Sequence, residues 1–280
     1  MIDLHLHTVY SDGTQTPREV VSLGKDRGLT AVSITDHDTV AGIGEALAVG
    51  SEVGIEVVPG IEMSSDANHN EVHILGYYID WKSEKLIERL RYFQHTRKER
   101  NSKLLERLSE LSMPVDLDQL DGLPPRGVIG RLHIARAMIA GGYVSSVSEA
   151  FEEWLNPGKP AHVGRVKASP CDVIRIILDA GGVPVFAHPF LSGRDDLIPR
   201  MVDAGLMGIE VLHPAHSQSM MYHYKRIADE RGLVLTGGSD CHGEANGRPK
   251  IGMLKVPTSY LDNLKKARQR VDQQSGRAQA

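Results

Sequence analysis

The chain has 280 residues, 41% hydrophobic and 24% charged, with a net charge of −4; this excludes a disordered or fibrous polypeptide and a globally basic nucleic-acid binder. Two cysteines outside any CxxC pair exclude a disulfide framework. With no basic-then-apolar leader and no run near the ~18 apolar residues of a membrane span, a soluble cytoplasmic protein is expected.

The first predicted strand, Ile2 to His5, runs into His5-Leu6-His7. A strand period of two turns both imidazoles to one face, where they could share a metal ion or simply be satisfied polar groups. Thr16-Pro17-Arg18-Glu19 supplies an N-cap, a proline at the first helical position and early acidic character, so a helix to about Arg27 is expected, stopped by Gly28. The second strand, Thr30 to Thr35, delivers Asp36-His37-Asp38 at its end. The third, Glu56 to Val58, delivers Pro59-Gly60-Ile61-Glu62, and the fourth, Val72 to Tyr78, carries His73 in an apolar run.

From about Trp81 to Pro160 the βα rhythm gives way to helical patterns. Residues 83 to 111 read as one long amphipathic helix, with shorter helices from Gly130 to Ala140 and Ser146 to Leu155. Pro114, Pro124-Pro125 and Asn156-Pro157-Gly158 punctuate the segment. We read residues 81–160 as a helical insertion between two parts of one barrel domain, 1–80 and 161–280. Trp81 to Arg136 holds 12 Lys or Arg against 8 Asp or Glu. A solvated helix face explains most of these charges, but Arg97 to Ser102 and Gly130 to Arg136 form clusters suited to phosphate, since guanidinium forks and a helix N-terminus both bind it.

The strand rhythm resumes after Ser169. Val183 to Ala187 ends at His188-Pro189, Gly208 to Leu212 follows, Leu233 to Thr236 ends at Ser239-Asp240-Cys241-His242, and Met253 to Val256 closes the series. Alternation turns Cys241 away from its neighbours, as a packing residue. His213, His216 and His223 read mainly as surface residues, and the tail from Gln273 to Ala280 as frayed. Each histidine-bearing turn has a bland reading alone. Five strand ends offering imidazole and carboxylate together suit Mn²⁺, Fe²⁺ or Zn²⁺, and they account for a chain with 13 histidines against 4 Phe, 2 Trp and 8 Tyr.

The ordered set HxH, SDG, TDHD, GxE, a strand histidine, AHP and SDxH resembles the PHP (polymerase and histidinol phosphatase) family. The resemblance implies an α/β fold, a distorted (β/α)₇ TIM-like barrel, with three divalent ions, most simply Mn²⁺, at the strand C-termini. It implies a first ion on His5, His7, Glu62 and Asp240, a second on Glu62, His73 and His188, and a third on Asp12, His37 and His242. The PHP halves around an Arg-rich helical insert are similar to the TrpH-like branch, which includes a nucleoside 3′,5′-bisphosphate phosphatase and a 5′–3′ exoribonuclease of short RNAs. That implies hydrolysis of a 3′ phosphate by a metal-bridging hydroxide near Glu62, with His37, His188 or His242 holding or protonating the leaving oxygen. Arg100, Asn101, Ser102 and His133, then Arg131 and Arg136, are the expected substrate contacts. The substrate is a nucleoside 3′,5′-bisphosphate or short 5′-phosphorylated RNA, with no membrane and no obligatory protein partner. Rival readings are a histidinol-phosphate-type phosphatase, a non-catalytic metal-binding PHP module, and a carbon–nitrogen amidohydrolase.

Overall fold

The computed structural model describes residues 1–68, 70–117, 129–164, 168–243, 250–274 and 276. The Pro124-Pro125 break and most of the tail beyond Gln274 lie outside them. Seven strands form one sheet in chain order: β1 (Ile2–Leu6), β2 (Ala31–Ile34), β3 (Glu56–Ala67), β4 (Asn70–Tyr77), β5 (Val183–Phe186), β6 (Gly208–Leu212) and β7 (Val234–Gly237). The edges meet: Leu6 bridges Cys241 in parallel, and Ser239 N–H donates to Asp3 at 2.9 Å. The result is a nearly closed barrel. Its distortion is β4, which runs antiparallel to both β3 and β5, the two residues between β3 and β4 being too few for a crossover helix.

Helices follow the strands where the capping signals put them. In α1 (Pro17–Asp26), Thr16 and Glu19 close a capping box, and Gly28, at φ 74°, supplies the left-handed turn that ends it. The outer layer continues with α2 (Ile43–Val53), α6 (Pro170–Asp179), α7 (Pro189–Ser192), α8 (Ile198–Asp203), α9 (Gln218–Arg231) and α10 (Thr258–Gln274). Three apolar clusters seat these helices on the sheet, exemplified by Ile61–Ile74–Ile177, Leu4–Val185–Leu264 and Leu6–Val32–Val49. Two expectations fail here. Met253 to Val256 contributes one antiparallel bridge, Ile2 to Val256, and no strand, since Pro257 cannot extend a ladder. Glu62 is not at a strand end: β3 continues to Ala67, held by its antiparallel partner β4.

Between β4 and α6 lie α3 (Glu84–Glu110), α4 (Arg131–Ala140) and α5 (Val147–Glu149), with α5 passing into a π-helix, Ala150–Leu155. The predicted helix from Ser146 to Leu155 is therefore two conformations; a π-turn is a rare insertion frequent at functional sites. Two packing regimes meet along α3. Leu86, Leu90 and Phe93 join the barrel core, whereas Leu104 and Leu108 pack with Ile134, Met138 and Leu155 in a separate small core. At the junction Arg97 donates to Asp38 Oδ2 at 2.5 Å and to Ser64 at 2.7 Å, both buried. No helix among the described residues is long and apolar enough to cross a membrane.

Candidate metal centre

All nine expected ligands converge at one end of the barrel. Glu62, 1% exposed, is the hub. Its Oε2 lies 3.3 Å from His5 Nε2, 3.3 Å from His7 Nε2 and 3.1 Å from His37 Nδ1. Its Oε1 lies 2.8 Å from His73 Nδ1 and 2.9 Å from His188 Nε2. The mid-strand position is what permits this, because it sets the carboxylate in the barrel mouth with imidazoles on both sides. Asp240 Oδ1 is 3.1 Å from His7 Nε2 and 3.4 Å from His5 Nε2, and Asp12 Oδ1 is 3.3 Å from His242 Nε2.

Four overlapping donor sets have their atoms within 4.8 Å of one another: His7-Asp12-His37-His242, His5-His188-Asp240, His5-His7-Glu62 and His37-Glu62-His73. They overlap the expected three-ion partition without matching it one to one, since His7 also belongs with Asp12 and His188 with Asp240. Buried nitrogens of His7, His37, His73 and His188 make no hydrogen bond. Orphaned imidazole nitrogens around shared carboxylates are what a divalent-metal site needs, so the donor set fits such ions. Cys241 stays out of it: its Sγ accepts from Gly243 and Lys250 N–H groups at 3.4 and 3.2 Å.

Strand ends are held in unusual backbone conformations. Asp38, His188 and Asp240 have φ of 52°, 26° and 49°, values that cost strain for residues with a Cβ and concentrate at functional sites. One buried residue that the sequence reading missed holds two ligands. Glu210, on β6, accepts from His5 Nδ1–H at 2.9 Å through Oε1 and from the His188 backbone N–H at 2.9 Å through Oε2. It thus turns His5 Nε2 toward the cluster and steadies the strained His188 turn. His213 and His216 are also not surface residues; they are 3% and 4% exposed. His213 Nδ1 accepts from Ala215 N–H at 3.1 Å, so Nε2–H donates to Asp240 at 3.2 Å. His223 alone of the three is substantially exposed, paired with Asp195 at 2.9 Å.

The electrostatics follow from this crowding. Burial would raise Glu62, Asp12 and Asp240, but the imidazoles around each hold all three well below the usual carboxylate range. Burial pushes His37 down to about 3 despite Glu62 and Asp12. His7 and His73 go the other way: against burial, Asp240 and Glu62 lift His7 to about 10, and Glu62 and Glu71 lift His73 to about 9. Against burial, Glu210, Asp240 and Glu62 also hold His5 well above its ordinary value, so at about pH 7.5 Mn²⁺ binding is expected to release about three protons, since coordination needs bare nitrogens. Affinity should rise with pH through that range. Calorimetry in buffers of different ionisation enthalpy counts the protons; a buffer-independent heat would contradict the assignment.

The expected substrate contacts separate into two places. Arg100 and Arg131 line a polar cavity of about 350 Å³ with Asn70, Glu71, Asn156 and His162. Glu71 pairs with Arg131 and lies 3.7 Å from His73, so this cavity adjoins the ligand cluster on its His73 side. Asn101 supports it indirectly, accepting from Arg100 at 3.0 Å and donating to Ile129 O at 2.8 Å. Ser102 is on an exposed face of α3, donating to Lys98 O, and is not among the cavity residues. His133 and Arg136 lie instead beside Asp12. Gly130 is wedged there: a Cβ would sit 3.3 Å from Arg97 Nη1 and 3.7 Å from Asp12 Oδ2. Gly130 N–H donates to His133 Nδ1 at 3.0 Å, and burial pushes His133 down to about 4. Its Nε2–H is therefore a buried donor without a partner, as are Nε and Nη2 of Arg136, whose Nη1 donates to Asp12 O.

A second cavity, about 560 Å³, meets the cluster at Asp240 and His242, which line it with Leu132, Phe151, Leu191 and Lys250.

A family model described as PHP domain matches residues 3–156. A 3′,5′-nucleoside bisphosphate phosphatase of Chromobacterium violaceum is 34% identical over 90% of this chain and 90% of its own length. A phosphoribosyl 1,2-cyclic phosphate 1,2-diphosphodiesterase of Eggerthella lenta is 32% identical, covering 91% and 98%. The 5′–3′ exoribonuclease Rnm of Escherichia coli is 33% identical, covering 86% and 84%. Among solved structures, a protein from Bifidobacterium adolescentis assigned as a metal-dependent phosphoesterase superposes with a TM-score of 0.86 at 32% identity, covering 95% of this chain and 96% of that one.

Proposed function

The chain belongs to the PHP domain family, and from that premise we propose that it is a metal-dependent phosphoesterase that removes the 3′ phosphate of nucleoside 3′,5′-bisphosphates and degrades short 5′-phosphorylated RNA from its 5′ end. The observation that carries this reading is the pairing of a nine-residue ligand cluster with a separate cavity bearing two guanidinium groups. A substrate with two phosphates uses both. A monophosphate such as histidinol phosphate has no second phosphate to place in that cavity. The relatives named as a bisphosphate phosphatase and an exoribonuclease act on compounds that meet this requirement, and similarity over nine-tenths of both chains supports carrying the first activity across.

His5, His7, Glu62 and Asp240, then Glu62, His73 and His188, then Asp12, His37 and His242 would hold three divalent ions. Bound there, they would polarise the phosphoryl oxygens, lower the pKa of water and offset developing charge. The protein's own groups do the positioning. His133 Nε2–H and the free donors of Arg136 can each give a hydrogen bond to a phosphoryl oxygen beside Asp12, in a water-poor setting where such bonds count most. Arg100 and Arg131 fix the 5′ phosphate and so set the ribose between the two sites. His37, kept neutral by burial, His188 and His242 are the candidates to hold the departing 3′ oxygen.

With Mn²⁺, hydrolysis of pAp is expected to exceed that of 3′-AMP by about 30-fold in kcat/KM, the worth of a charge-assisted contact. Arg100→Ala and Arg131→Ala should each erode that preference while 5′-AMP and histidinol phosphate stay poor substrates. Equal rates on pAp and 3′-AMP would remove the role given to the polar cavity.

A further inference from the structure

We propose that the cavity on the Asp240–His242 side is a second nucleotide subsite, which takes the nucleoside on the 3′ side of the scissile phosphate. The inference rests on the phosphoesterase reading above and adds what the site does with a diester. The two cavities meet the ligand cluster at different residues, one at His73 through Glu71, the other at Asp240 and His242. A thin partition divides them: Leu191 lines both, and the Arg131 guanidinium of the first lies 5.2 Å over the ring of Phe151 in the second.

Their chemistry differs in a way that matches the two ends of a dinucleotide. The first is polar and carries the arginines. The second combines Leu132, Val147, Phe151, Leu191 and Pro214 with Lys250 at its rim. Apolar and aromatic side chains are where an unstacked base settles, and a rim cation suits the next phosphate. Its volume of about 560 Å³ is within the usual range for a small-ligand site. Phe151 belongs to the π-helical turn, whose Leu155 carbonyl also accepts from Arg131 and His162 of the polar cavity, at 3.5 and 3.2 Å. One element therefore shapes both cavities.

A terminal phosphate ester has one organic substituent and fills one cavity. A phosphodiester has two, and the second cavity gives the other a place. In the diester reaction the oxygen of water bonds to phosphorus and the P–O3′ bond breaks. The 3′ oxygen takes a proton and leaves with the 5′-terminal nucleotide. The phosphate stays on the 5′ oxygen of the next nucleotide, in the second cavity, so the shortened chain again begins with a 5′ phosphate and meets the requirement for another round.

The test compares kcat/KM for the 5′-phosphorylated dinucleotide pApA with that for pAp, using the full chain with Mn²⁺, in wild type, Phe151→Ala and Lys250→Ala. Phe151→Ala should lower the pApA/pAp ratio about tenfold, the loss of one stacked base. Lys250→Ala, an exposed and structurally mild change, should lower kcat/KM for the trinucleotide pApApA relative to pApA about threefold, because only the trinucleotide carries a phosphate beyond the second nucleoside, and the loss should be larger at low salt than at high. Ratios that are unchanged or raised in both variants overturn the subsite. Wild type that hydrolyses pAp but not pApA overturns it while leaving the bisphosphate reading intact, and wild type that hydrolyses neither sinks both.

Discussion

Glu62→Gln is expected to lower kcat/KM on pAp by about 10³-fold or more, because metal stabilisation of a phosphoryl transition state is worth several kcal/mol. The substitution keeps the side chain's size but removes the charge shared by His5, His7, His37, His73 and His188, all within 3.3 Å of one or other carboxylate oxygen. An amide offers one oxygen and one NH₂ group, so at least one imidazole would face a donor where it now faces an acceptor. Elemental analysis after Mn²⁺ loading should show metal lost together with activity, and circular dichroism should show the barrel retained. Full metal content with undiminished turnover would contradict the assignment of Glu62 as the hub.

The second large effect concerns stability. Arg97→Ala strips Asp38, fully buried, of its guanidinium counter-charge, and breaking a buried pair from one side costs about 3–5 kcal/mol. For a chain of this size that corresponds to a fall in Tm of about 6–20 °C. Asp38 follows His37 in a left-handed turn and accepts from Ser64 N–H at 2.9 Å, so the same change should loosen the turn that carries a ligand and reduce activity as well. The double variant Arg97→Met with Asp38→Asn should recover much of the lost Tm, because no charge is then left buried alone. Additive losses in that cycle would mean the two residues act independently.

The residues easiest to read in the sequence were those whose spacing obeys a local rule. His5 and His7 share a face by strand alternation, and His37, His188 and Asp240 follow apolar β-branched runs that must end at the barrel mouth. Glu210 had a weaker signal of the same kind: an acid in Gly-Ile-Glu-Val-Leu, inside a run that must be buried, has to be paired with something. His213 directly follows that strand, and the strand-end rule that found His188 applies to it equally. Other features depend on distance along the chain. That β4 reverses direction, that Glu62 is mid-strand, and that Arg97 meets Asp38 are tertiary facts, because 59 residues separate that last pair and no periodicity encodes it. The split of Arg100 and Arg131 from His133 and Arg136 is similar: all read as one basic cluster until the turns of α3 and α4 send them to different places.

The meeting of β1 and β7 has a consequence for how the chain reaches its working state. His5 and His7 are supplied by one rim of the sheet and Asp240 and His242 by the other, and the two rims are joined by the Leu6–Cys241 bridge and a few contacts around Asp3. Gly238 is required at this seam because any side chain there would collide with the His5 backbone. Ions shared between the rims would fasten the cylinder much as a covalent staple does, closing a loop of more than two hundred residues. On the ribosome, the first histidines emerge long before their partners. The reactive centre is therefore assembled last, and a partly made chain carries no competent hydrolase into the RNA-rich surroundings of its own synthesis.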